Sequence, residues 1–259
     1  FGVSTSLTSF TMTIFFIFMA IGILVLGPMS DKYGRRPILI ISVLMSLLFS
    51  IACALAPTIW LLIIARALQA AGAGGMVAIG TALIRDSFDG KQLSLVLSIT
   101  QSLGLLAPMI APILGAVILK FTSWQMTFVA LAILMGIALI GAFLLEETLP
   151  QSARTKESTL HSILQLRVVA KNKNFMSLLM LGSLLGAPYM GYLAIASYIY
   201  INDFGLSETM FSIFFAINSA FAVLGPILYM RVSNMKKKVL FNAAFILATI
   251  SALLLYFVG

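Results

Sequence analysis

Gly27-Pro28-Met29-Ser30-Asp31-Lys32-Tyr33-Gly34-Arg35-Arg36-Pro37 lies between two apolar runs, each of membrane-spanning length. Asp31, Lys32, Arg35 and Arg36 carry charge, and Pro37 adds a ring constraint. A short basic loop between two membrane helices sits at one bilayer face, and the positive-inside bias makes that face cytoplasmic. The reading expects a loop of about ten residues here. Gly27 allows two helix backbones to approach closely, and Gly34 supplies a position open to positive φ. Pro37 suits the first turn of the helix that follows.

Composition points the same way. Of the 259 residues, 61% are hydrophobic and 9% are charged. Mean hydropathy is +1.10. A soluble domain carries about 25% charged residues, so an ordinary globular protein is excluded. The net charge of +8 does not mark a nucleic-acid partner, because the basic residues are spread among inter-helix loops. Cys53 is the one cysteine and lies in an apolar run, so no disulfide framework can form. Residues 1–7 carry no positive charge and no cleavage pattern, so no signal peptide is expected. The opening Phe1 in place of Met points to a piece of a longer chain.

Eight apolar stretches are long enough to cross about 30 Å of hydrocarbon. They fall near Leu7–Gly27, Ile38–Leu55, Ile59–Ile84, Leu93–Leu119, Met126–Leu145, Phe175–Ile201, Met210–Met230 and Val239–Val258. Their length without period-two alternation predicts helices rather than barrel strands. Loops on one side hold Lys32, Arg35, Arg36, Arg85, Lys91, Arg154, Lys156, Arg167, Lys171, Lys173, Arg231, Lys236, Lys237 and Lys238. Loops on the other side hold only Lys120 among basic residues, with Asp203 and Glu208. Both chain ends are therefore expected outside the cytoplasm. The long polar loop Glu146–Asn174 reads as a cytoplasmic linker, with an amphipathic helix over Leu160–Ala170. Its His161, the only histidine, reads as a solvated loop residue. This divides the chain into a helical bundle over 1–146, a linker over 147–174 and a second bundle over 175–259. Gly27-Pro28 and Gly225-Pro226 each end a span before a basic loop, 198 residues apart. That echo suggests a parallel repeat.

The pattern G-x-x-x-D-K-x-G-R-R, from Gly27 to Arg36, resembles the signature between the second and third helices of the major facilitator superfamily. The resemblance implies an all-α, polytopic membrane fold, with eight helices here of an expected twelve. The acids and bases gathered at helix ends on one face, away from the midplane, read as a conformational latch rather than a substrate site, built from Gly27, Asp31, Lys32, Gly34, Arg35 and Arg36, with Arg85 and Asp86 ending the third span at the same face. Asp31 could also face a helix N-terminus from the other half.

Arg66, Gln69 and the small run Ala70–Gly75 resemble the family's R-x-x-Q-G-x-G motif, with Ala71 in place of a glycine. An arginine at membrane depth faces a cavity or a partner. Arg66 therefore reads either as a coupling or substrate-orienting group, with Gln69 and Gln101 beside the cavity, or as a snorkelling anchor. Gly104, Pro108, Pro112 and Gly115 resemble the kinked-helix motif of the family's exporters, in the form seen in the bicyclomycin- and chloramphenicol-resistance (Bcr/CflA) branch. The alternative there is a purely structural kink. Trp124 to Phe128 and Glu146-Glu147-Thr148-Leu149 fit the same branch, with Gln125 replacing an arginine. Tyr189 and Tyr192 are candidates for lining a drug pocket, or for ordinary packing.

All eight carboxylates lie at span ends or in loops, so a proton-carrying carboxylate at membrane depth is expected outside this stretch. The leading expectation is a proton-coupled multidrug exporter of the inner membrane, a monomer that takes an amphiphilic small molecule. The alternatives are a carrier of a small metabolite and a non-transporting membrane remnant. No cofactor, metal site or enzymatic activity is expected, since no nucleophile–base pair, metal-ligand cluster or phosphate loop is found.

Overall fold

The computed structural model describes residues 5–157, 159–207, 209–218, 220, 224 and 237–258. In hydrocarbon every backbone N–H and C=O must be satisfied within its own segment, which long apolar runs achieve as helices. The described residues contain no strand. Helix α1 spans Thr5–Tyr33, α2 Arg35–Ala54, α3 Ile59–Ser87, α4 Gly90–Phe121 and α5 Gln125–Leu144. A 3₁₀ turn at Gln151–Ala153 and α6, Thr159–Ala170, form the linker. Beyond it come α7, Lys173–Tyr198, a π-helical turn at Ile199–Asp203, α8, Thr209–Asn218, and α9, Lys237–Val258. Helices α1, α2, α3 and α5 are long and apolar enough to cross a membrane. The other expected spans coincide with α4, α7, α8 and α9, but nearly half of Met210–Met230, Gly225 and Pro226 included, lies outside the described residues, as do Arg231 and Lys236.

The opening stretch is not a ten-residue loop. Helix α1 runs through Pro28 to Tyr33, and only Gly34 separates it from α2. The Ser30 hydroxyl donates to the Gly27 carbonyl at 2.7 Å, and the N–H of Gly34 closes the last turn on Ser30 O at 3.1 Å. The chain then reverses at a single residue with φ 106°, a backbone region that glycine adopts without steric penalty.

The core lies where α3 crosses α1 and α2. A Cβ added at Gly74 would run into the backbone carbonyl of Met19 on α1. One added at Gly72 would lie 2.6 Å from Ser42 O on α2. The small run of α3 thus brings three backbones together, the packing that membrane helices use in place of a hydrophobic driving force. On α2, Ser42, Ser46 and Ser50 recur every fourth residue along one buried face. Their hydroxyls bond to Ile38 O, Gln69 O and Ser46 O respectively. An apolar cluster of Cys53, Ile59, Leu62 and Ile63 closes one end of the bundle, and Leu26, Ile38 and Ile79 fill the other. Helix α5 packs against α2, whereas α4 touches α3 and α5 only sparsely.

Candidate functional site

Two constellations stand out, one at the Gly34 end of the bundle and one inside it. At the Gly34 end Arg35 is the centre. It is the first residue of α2, so its side chain faces the ends of both α1 and α3. Its guanidinium donates to Asp31 Oδ1 at 2.5 Å, to Ser30 Oγ at 2.8 Å and to Asp86 Oδ2 at 2.9 Å. The Arg35 side chain is 10% exposed, the Asp86 side chain 21% and the Asp31 side chain 50%. The deeper Arg35–Asp86 pair therefore carries more of the coupling than the half-solvated pair with Asp31. Three helix ends, of α1, α2 and α3, are joined through one planar fork that a lysine could not reproduce.

Glu147, just past α5, completes the cluster. Its Oε1 accepts from the backbone N–H of Arg35 at 2.9 Å and from that of Leu149 at 3.0 Å. Its Oε2 accepts from the N–H of Arg36 at 3.3 Å and pairs with Arg154 at 3.5 Å. The first N–H groups of a helix have no intrahelical partner, and Gly34 has no side chain to cap them. A carboxylate from elsewhere supplies the cap and complements the positive end of the helix dipole. The reverse contact lies beside it. Arg36 Nη2 donates to the carbonyl of Phe143, in the last turn of α5, at 2.7 Å. So an acid meets the start of α2 while a base meets the end of α5. The linker is tied in by the N–H of Thr155, which donates to Asp31 O at 3.0 Å. Thr148 Oγ1 donates to Asp86 Oδ2 at 3.4 Å.

Of the expected latch residues, Asp31, Gly34, Arg35, Arg36 and Asp86 converge here. Arg85 does not: it is exposed at the end of α3, with no ion pair among the described residues. Lys32 lies over the neighbouring Tyr33 ring, 5.4 Å from its centroid. Gly27 makes an ordinary contact with Ala78 of α3, at 3.6 Å for an added Cβ. The N-terminus of α2 is capped by Glu147. The Glu-Glu-Thr-Leu run was the only signal in the sequence for Glu147, and it did not indicate which helix the carboxylate would reach.

Inside the bundle, Arg66 of α3 donates through Nη1 to Gln69 Oε1 at 3.0 Å. Its guanidinium carbon lies 4.3 Å from the ring centroid of Phe15 and 5.6 Å from that of Phe128. Gln69 Nε2 donates in turn to Ser50 Oγ at 2.7 Å. Beside this chain is a cavity of about 130 Å³ that includes Ser46, Ala73, Met76, Leu131 and Met135 in its wall. Arg66 and Gln69 are thus together, at a cavity. Gln101 is not with them: it is exposed on α4. Gly104 and Gly115 have no neighbour within 4 Å of an added Cβ, and α4 is continuous through Pro108 and Pro112, whose side chains lie outside what is described. The side chain of Tyr189 does too. The Tyr192 ring stacks on Phe215 at 5.8 Å, with 6° between planes.

A sequence model of the Major Facilitator Superfamily matches residues 1–259. The chain is 32% identical over 256 residues to an uncharacterized MFS-type transporter, YdgK, of Bacillus subtilis (strain 168), covering 97% of this chain and 64% of that protein. It is 28% identical over 215 residues to the chloramphenicol resistance protein CraA of Acinetobacter baumannii, covering 82% of this chain and 51% of CraA. The chain therefore spans between about half and two thirds of these relatives' lengths. Its fold is similar to the crystal structure of the human organic anion transporter MFSD10, with a TM-score of 0.64 at 20% identity over 81% of this chain and 54% of that one. The chain belongs to the Major Facilitator Superfamily, a family of multi-pass membrane transporters and not of enzymes.

Proposed function

We propose that this chain is part of a proton-coupled exporter of amphiphilic drugs that works by alternating access in the inner membrane, as a monomer. Residues 1–146 form one helical bundle, 147–174 a cytoplasmic linker and 175–259 the start of a second bundle. Both ends of the chain face away from the cytoplasm, as the charge asymmetry of the loops favours. The kinked-helix motif on α4 and the likeness to CraA support the export direction and the class of cargo.

The observation that carries the mechanism is the position of Arg35, bonded at once to Asp31 and Asp86 and backed by Glu147. Such a cluster holds helix ends together at the cytoplasmic face while the cavity is open outward. It lies away from the midplane, where substrates bind in this architecture, so it acts as a latch and not as a substrate site. Each half-exposed contact contributes about 1 kcal/mol or less, which is enough to shift a two-state equilibrium by a factor of about five.

In a pump-deficient bacterial host the full-length carrier should raise tolerance to chloramphenicol and related amphiphiles, and a protonophore should abolish the gain. Unchanged tolerance across such a panel overturns the export reading. Asp31→Asn and Asp86→Asn should slow efflux while leaving drug affinity of the inward-facing state nearly unchanged. Spin-label distances across the cytoplasmic face should then shift toward the inward-facing state. Loss of drug binding with unaltered distances would overturn the latch.

A further inference from the structure

The internal cavity of about 130 Å³ takes its wall from α1, α2, α3 and α5, and no described residue of α4, α7 or α8 reaches it. It therefore lies within one packed group of helices, whereas substrates in this architecture sit where two repeats meet. The polar groups beside it are bonded to one another. Arg66 Nη1 donates to Gln69 Oε1, Gln69 Nε2 to Ser50 Oγ, Ser50 Oγ to Ser46 O and Ser46 Oγ to Gln69 O. The Arg66 guanidinium lies over the Phe15 ring, with Phe128 also beside it. What these groups turn toward the void is almost wholly hydrocarbon, and Ala73, Met76, Leu131 and Met135 complete an apolar wall.

We infer that this cavity is a binding site for a small, neutral, apolar molecule of about one aromatic ring, separate from the path of the transported substrate. A buried water needs two to four polar partners, and a dry cavity of about 150 Å³ takes up benzene. The void here is of that size, and its neighbouring hydroxyls and amide already have partners. Atoms lining an empty space lose their dispersion contacts on that side, and a guest restores them on all four helices at once. Met76 and Met135 adapt the wall to the guest, since methionine is unbranched and polarizable. A charged ring loses its hydration against the same wall and gains little in return. Supply is no obstacle, because such molecules dissolve in the bilayer that surrounds the bundle. The inference does not depend on which cargo the carrier exports.

The test titrates benzene into the 259-residue chain in nanodiscs and follows the methionine methyl groups by NMR, with signals assigned by single Met→Leu replacements. Met76 and Met135 line the cavity, and the exposed Met180 on α7 reports partition into the lipid. The expected result is a saturable shift at Met76 and Met135 with one shared Kd, beside a linear drift at Met180. The thermal unfolding midpoint should rise and level off over the same concentrations, as for any ligand that binds the folded state alone. Benzoate and benzylammonium should bind about tenfold or more weaker, and 1,3,5-triisopropylbenzene, too large for the void, should give only the linear drift. Ala73→Leu, which fills the cavity from α3, should remove the saturable component. Shifts at Met76 and Met135 that stay linear and parallel to Met180 in the unaltered chain overturn the proposal whether or not any variant folds. So does saturation that survives in a folded Ala73→Leu, or a benzoate that binds as tightly as benzene.

Discussion

The backbone N–H of Arg35 donates to Glu147 Oε1 across 2.9 Å, joining the first residue of α2 to a carboxylate 112 residues further along the chain. A helix N-terminus normally finds its cap in the residue just before it. Here that residue is Gly34, and the cap arrives from the end of α5. The capping energy of α2 thereby becomes energy that holds α5 against α2.

Glu147→Ala removes acceptors for two helix N–H groups and a partner of Arg154. Loss of a cap costs about 0.5–2 kcal/mol. For a chain of this size each kcal/mol shifts the unfolding midpoint by about 2–4 °C. Thermal unfolding in detergent, followed by circular dichroism, should show a drop of a few degrees, with Glu147→Gln in between. An unshifted midpoint would mean that water replaces the cap at no cost.

Gly34→Ala should be more damaging than its size suggests. A non-glycine residue at φ 106° costs about 1–3 kcal/mol. Its Cβ would also collide with the Glu147 carboxylate and lie 2.8 Å from Arg154 Nη2. The double variant with Glu147→Ala should therefore lose less stability than the two single losses combined, because the collision disappears. Strict additivity in that cycle would contradict the geometry.

Arg35→Lys and Arg36→Lys change the same chemical group in adjacent residues and should differ. Arg35 serves Asp31, Asp86 and Ser30 at once, whereas among the described residues the Arg36 side chain bonds the Phe143 carbonyl alone. A lysine cannot span the first set. The Arg35 variant should unfold at a clearly lower temperature and separate the ends of α1, α2 and α3 in spin-label measurements, with Arg36→Lys close to wild type. Indistinguishable variants would remove Arg35 from the centre of the cluster.

Gly74→Ala and Gly80→Ala form a matched pair on α3. At Gly74 a Cβ meets the Met19 backbone of α1, and at Gly80 nothing lies within 4 Å. Gly74→Ala should force α1 and α3 apart and cut the yield of monodisperse protein sharply. Gly80→Ala should be neutral or stabilising by about 0.5–1 kcal/mol, because alanine gives up less backbone entropy in a helix. Size-exclusion chromatography of the two variants side by side decides it.

The sequence by itself determined everything that depends on neighbouring residues. Apolar length marked the helices, and the pattern from Gly27 to Arg36 pointed to the family. Gly34 was legible as a reversal point because only glycine is at ease there. What the sequence misjudged, it misjudged at boundaries. Pro28 and the charges after it read as loop, yet α1 continues to Tyr33, its last turn closed by the Gly34 N–H on Ser30 O. Only the tertiary structure decided which distant groups meet. It put Glu147 at the N-terminus of α2, left Arg85 and Gln101 exposed, and placed Phe15 and Phe128 against Arg66. The reason is physical. Whether a run forms a helix is settled by its own backbone and by the solvent around it. Which face of that helix carries a partner depends on how closely the backbones cross, and here the crossing of α1, α2 and α3 at Gly72 and Gly74 sets that approach.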